Sequence, residues 1–162
     1  MNLVPAMTTC SALPLTVRSL GRLLAIGAAG LVIWEICARL IAPLWIGFAL
    51  DPTGLIEMAV GLSGGVAQAL HLLTGLVIFP IGMLCVARPI ATRLLPGLPW
   101  PLFGLGYGVA LWVFAMYVMA SLLGGAPAFL GFAPVAWASL LGHLGLGLGM
   151  AGADACLPRG RP

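Results

Sequence analysis

The stretch VAQALHLLTGLVIFPIGMLCVARP, Val66–Pro89, decides the fold. Between Val66 and Ala87 it carries no acidic or basic side chain other than His71, and it stops at Arg88. About 20 apolar residues in a helix cross the roughly 30 Å hydrocarbon core of a bilayer, so this segment is long enough to span one. A histidine inside it is therefore a question about function as well as about packing.

The same pattern recurs on either side. Apolar runs at 20–46, 100–123 and 134–156 join a second run at 64–87 to give four candidate spans. The composition demands such a reading. Apolar residues make up 62% of the 162 and charged ones 7%, and the mean hydropathy is +1.16. A soluble domain carries about 25% charged residues, so this chain has too little charge to wet a globule. The expected class is all-α, an integral membrane four-helix bundle. A tail at 1–17 precedes the four-span domain at 18–157, and a cytoplasmic tail at 158–162 follows it. The run after Arg18 and Arg22 continues through Glu35 and Arg39 without a small-residue cleavage site, so it reads as a first span rather than a leader. "GLSGG" at 61–65 interrupts the apolar run that begins at Gly54. Residues 54–62 are accordingly expected as a short interfacial or half-inserted helix ahead of the second span.

Every basic residue is arginine. Arg18 and Arg22 precede the first span, Arg88 and Arg93 follow the second, and Arg159 and Arg161 follow the fourth. The connections at 47–53 and 124–133 contain none. The positive-inside rule then puts both termini and the 88–99 loop in the cytoplasm. Seven dispersed arginines are too few for a nucleic-acid surface, so the bilayer is the partner to expect. "RPIATRLLPGLPWP" at 88–101 holds four prolines and cannot form one continuous helix, which ends the second span near Ala87. "GGAPAFLGFAP" at 124–134 is an apolar outer loop, either tucked onto the bundle or lying in the interface, or else serving as a lid or a contact surface for a partner.

A few residues carry chemistry. Glu35 and Arg39 stand four apart on the first span, as an intramembrane charge pair would, and Glu35 is also a candidate proton carrier. Gly104 and Gly108 on the third span, and Gly145 and Gly149 on the fourth, have the small-xxx-small spacing that lets membrane helices pack closely. His71 in "HLLTG" and His143 in "HLGLG" lie about 10 and 13 Å below the outer boundary of their spans. Two readings stay open. The imidazoles can tie helices together by hydrogen bonds. Alternatively they can be the axial ligands of a haem b, with Gly75 and Gly147 lining its slot. Another metal, a quinone and proton handling are further uses of the same pair. No nucleophile–base pair, carboxylate pair or zinc cluster is visible, and Cys10, Cys37, Cys85 and Cys156 show no CxxC spacing. The chain is not expected to be an enzyme.

"HLLTGLVIFP" at 71–80, "FGLGYGVALWVFAMYVM" at 103–119 and "GFAPVAWASLLGHLGLGLGMA" at 131–151 together resemble a family of small four-span bacterial membrane proteins of unknown function. The resemblance covers about 64–152. It supports the topology, draws attention to His71 and His143, and supplies no activity; the expected location is a bacterial inner membrane. The functional expectation is a non-enzymatic accessory or assembly partner of a larger membrane complex. A haem b electron-transfer protein is the alternative, and a small transporter using Glu35 and Arg39 is third.

Overall fold

The computed structural model describes residues 17–157 and is all-helical over them, with no strand among the described residues. The expected tails, 1–17 apart from its last residue and 158–162, lie outside the described residues. Four helices are long and apolar enough to cross a membrane: α1 (Ser19–Ile46), α3 (Gly64–Leu94), α4 (Trp100–Leu123) and α5 (Pro134–Cys156). A short helix, α2 (Pro52–Val60), stands between the first two. Asp51 caps it, its carboxylate accepting the Thr53 N–H at 2.9 Å and the Thr53 hydroxyl at 2.6 Å. These bonds hold the Asp51 carboxyl below its ordinary value. Gly61, at φ 71°, ends α2 in the left-handed conformation that glycine adopts freely, so α2 and α3 are separate helices.

One expectation is corrected. The second long helix does not end near Ala87 but continues to Leu94. Pro89 lies inside it, and the reason it is tolerated recurs twice. Proline lacks an N–H, and its ring collides with the carbonyl four residues back. For Pro43, Pro80 and Pro89 those carbonyls belong to Arg39, Leu76 and Cys85. Each of the three sits in a π-helical turn: Cys37–Ile41, Thr74–Ile78 and Met83–Ala87. The wider turn moves the carbonyl off the proline ring and lets the helix run on. A fourth π segment, Phe114–Leu123, contains no proline; there the Ser121 hydroxyl donates to the carbonyl of Met116, five residues back, at 2.9 Å.

The long helices run up and down, and α5 is the hub. Its half of the core includes Leu146 and the fully buried Met150, packed with Ile26 and Trp34 of α1 and Leu111 of α4. Glycine makes the approach possible. A Cβ on Gly104 would lie 2.9 Å from the Gly147 carbonyl oxygen and 3.0 Å from the Ala151 Cβ, and one on Gly108 would overlap the His143 carbonyl. On the opposite edge of α5, Gly145 and Gly149 lie under Ile33 of α1, and Gly149 also faces the backbone of Ala29 and Gly30. Helix α3 is the outlying member. It meets α1 where Gly27 lies against the Leu76 backbone and Gly75 against the Leu31 side chain. It meets α4 where the Tyr107 hydroxyl donates to the Phe79 carbonyl at 2.6 Å.

These approaches predict a contrast between two glycines. Gly147→Ala puts a methyl into the backbone of Gly104 and Gly108 and should cost about 1–3 kcal/mol, the range for overpacking. Gly106→Ala enters open space and should be neutral or stabilising by up to about 1 kcal/mol. Thermal unfolding in detergent, followed by circular dichroism, reads both. Equal losses for the two would show that α4 and α5 do not meet along this line.

Candidate functional site

Polar side chains gather at two levels. The first begins on α1, where the π turn after Ile36 brings Arg39 back over Glu35, and Arg39 Nε donates to Glu35 Oε2. Glu35 also faces α3: His71 Nε2–H donates to its other oxygen, Oε1, at 3.2 Å. One carboxylate thus joins two helices and two cationic or potentially cationic groups. The cluster is open, with 59% of the Arg39 side chain exposed against 25% for Glu35.

His143 lies close by but is bonded differently. Its Nδ1–H donates to the carbonyl of Ser139, one turn earlier on the same helix, at 2.8 Å, and the Ser139 hydroxyl is 3.3 Å from the same nitrogen. Between the two histidine helices stands Trp34 of α1. Its ring centroid is 5.4 Å from that of His71 and 6.3 Å from that of His143, the latter edge-on at 83°. The indole rests over Gly142, where a Cβ would come within 3.2 Å of Nε1. The structure therefore brings His71, His143 and Glu35 to one level and adds a tryptophan that contacts both rings.

As they stand, these residues do not fit a haem held by both histidines. His71 presents to Glu35 the nitrogen that would ligate iron. The glycines read as slot-lining are filled by protein, Gly75 by Leu31 and Gly147 by the backbone of Gly104 and Gly108. Among the described residues no three His, Cys, Asp or Glu side chains gather as a metal site.

The second level was not legible in the sequence. Asp154, in the last turn of α5, is buried, with 4% of its side chain exposed. Two arginines clasp it from two other helices, Arg22 of α1 on Oδ1 and Arg88 of α3 on Oδ2. Arg22 Nη2 also donates to the Asp154 main-chain carbonyl at 3.3 Å, where the helix end leaves acceptors unpaired. Arg22 Nε is buried and has no hydrogen-bond partner among the described residues. The signal was available in principle: Asp154 is the one carboxylate of its span, and it sits at the level where the arginines collect. A buried charge at that depth requires a partner.

A third group stiffens the far end. Phe129, Leu130 and Phe132 of the loop before α5 take left-handed conformations, with φ of 50°, 53° and 55°. Such backbone costs on the order of 1–2 kcal/mol per residue outside glycine. An aromatic stack holds it, Phe129 on Trp112 at 5.0 Å and on Tyr117 at 5.6 Å. The indole N–H groups of Trp112 and Trp137 donate to the carbonyls of Ala136 and Phe132 at 2.9 and 3.1 Å. The loop at 124–133 is tucked onto the bundle.

No protein-family model, curated protein or solved structure matches the chain. The resemblance to the small four-span family thus finds no counterpart there, and the site must be read from its own geometry.

The two charge clusters should differ in weight. Asp154→Ala removes the buried carboxylate that joins Arg22 and Arg88 and should cost about 3 kcal/mol, the lower end for breaking a buried ion pair. Glu35→Gln removes a more open pair and should cost about 1 kcal/mol or less in detergent. Thermal unfolding of the two variants against the parent measures the difference. A larger loss for Glu35→Gln would reverse the assignment of the structural clasp.

Proposed function

We propose that the protein is an integral membrane protein of four spans in a bacterial inner membrane, with both termini and the connection at 95–99 cytoplasmic. In this reading it is a non-enzymatic accessory or assembly partner of a larger membrane complex. The observation that carries the reading is Arg39. A lone arginine near a membrane surface extends outward to the headgroups. This one instead reaches back a full turn, deeper along α1, to Glu35, and still leaves most of its side chain open. Ionic groups at membrane depth are commonly covered by protein or line a water-filled cavity.

The flank beside it supports the same reading. Helix α3 is the least covered of the four, with 17% of its apolar window buried against 56% for α5, and Leu40 of α1 is 64% exposed. A helix from another subunit laid along α1 and α3 would cover Arg39 and this apolar strip together.

Two measurements in membranes test the proposal. Reporter fusions after Leu95 should read cytoplasmic and those after Ala126 periplasmic; the reverse would break the orientation. A photo-crosslinking residue at Leu40 should give a discrete protein adduct, while one at Val109 of α4 should give lipid adducts alone. Lipid adducts alone at both positions would mean a free-standing bundle and contradict a partner role.

A further inference from the structure

The guanidinium of Arg39 is only partly engaged. It binds Glu35 through Nε, and neither of its Nη groups is hydrogen-bonded among the described residues. Those two groups hold four N–H donors in one plane. Glu35 already serves a second helix, since its other oxygen accepts from His71 Nε2 at 3.2 Å. Asp51 is the other carboxylate that feels this charge. Its ionised form is stabilised first by the Thr53 hydroxyl and least by Arg39, and it bonds Thr53 rather than the guanidinium. Arg39 precedes the end of α1 at Ile46 by seven residues, about 10 Å of helix. Around it on α1, the apolar side chains of Val32, Ile36 and Leu40 are exposed.

We propose that this face of α1 receives a membrane helix of a different protein, and that the helix brings an Asp or Glu side chain to the Nη groups of Arg39. The inference rests on the reading of the chain as a partner subunit and adds the chemistry of the contact. A planar guanidinium takes a carboxylate through two parallel N–H groups, and Glu35 fixes this one by a charge-assisted bond before a partner arrives. The charges complement one another. Arg39 and Glu35 cancel, and when His71 holds a second proton the cluster has one positive charge left for a carboxylate to meet. A carboxylate at membrane depth needs a partner of this kind. A lipid phosphate fits less well, because headgroups lie at the boundary and the guanidinium turns away from it toward Glu35. The apolar row of Val32, Ile36 and Leu40 then takes the rest of the incoming helix.

Membranes with the photo-crosslinking residue at Leu40 supply the first arm of the test. Arg39→Gln should cut the yield of the protein adduct there by about tenfold, the equivalent of one charge-assisted bond. The helical circular dichroism of the purified variant should be unchanged. The second arm makes the contact covalent. In a double variant, Arg39→Lys with Glu35→Gln, dicyclohexylcarbodiimide should join the new amine to the partner's carboxylate as an amide, the carbodiimide taking up the water lost and leaving as the urea. Peptide mass mapping should place that amide on an Asp or Glu within an apolar span of a different protein. A Leu40 adduct undiminished by Arg39→Gln, or one that forms in the double variant without any amide, would overturn the proposal and leave the partner reading standing. So would an amide to a second copy of this chain. Lipid adducts alone at Leu40 in the parent would remove both. If either variant fails to fold, the other arm decides by itself.

Discussion

The bundle depends on how closely α5 admits its two neighbours. Lipid tails are as apolar as leucine, so membrane helices gain nothing from hiding apolar surface from their solvent; they associate through dispersion contacts and polar ties. Both require short distances. Glycine supplies them on two edges of one helix, Gly147 toward Gly104 and Gly108 of α4, and Gly145 and Gly149 toward α1. With the backbones that close, Met150 and Leu146 fill the space against Ile26 and Trp34 without leaving room for lipid. The carboxylate at the end of the same helix then binds Arg22 and Arg88, so α5 holds α1 twice and reaches α3, which it otherwise hardly touches.

The two ends of the molecule use charge differently. At the Asp154 end the carboxylate is buried at a helix terminus, between two arginines that are themselves partly exposed. At the other end Glu35 serves Arg39 and His71 in a setting open enough for both arginine and carboxylate to meet whatever lies outside. The first arrangement ties three helices together, whereas the second is open at the surface. Trp34 links the open cluster to the hub by contacting both imidazoles while resting over Gly142. A change of charge at Glu35 would thus be felt at the α1–α5 contact.

Much of this was legible from hydropathy. Four apolar runs of span length follow from composition and spacing alone, and Gly61 marks the break before α3 because a left-handed glycine stops a helix. The end of α3 was misread because proline was taken as a stop. Read against its neighbours, Pro89 is the third case in which a π turn four residues upstream relieves the ring. That relief depends on backbone geometry rather than on residue type. The Glu35–Arg39 spacing was visible because it is local. The Asp154 clasp and the His71–Glu35 bond were not, since each joins residues from different helices, up to 132 positions apart, and depends on how the helices rotate about their axes. Trp34 was passed over as one more apolar residue in a run of them. Its role exists only once three helices are assembled around it.

The central claim is that α4 and α5 meet backbone to backbone along their glycine edges. It is tested most directly by disulfide trapping in membranes. In a variant with Cys10, Cys37, Cys85 and Cys156 replaced by alanine, Gly104→Cys and Ala151→Cys introduce a pair whose Cβ atoms would lie 3.0 Å apart in the relaxed structure. A small outward shift brings them to the roughly 3.5–4.5 Å that a disulfide spans. Mild oxidation should cross-link this pair rapidly, while Gly106→Cys with Ala151→Cys should stay reduced, because Gly106 faces open space. Equal cross-linking of the two pairs, or none in either, would contradict the packing on which the rest of the account is built.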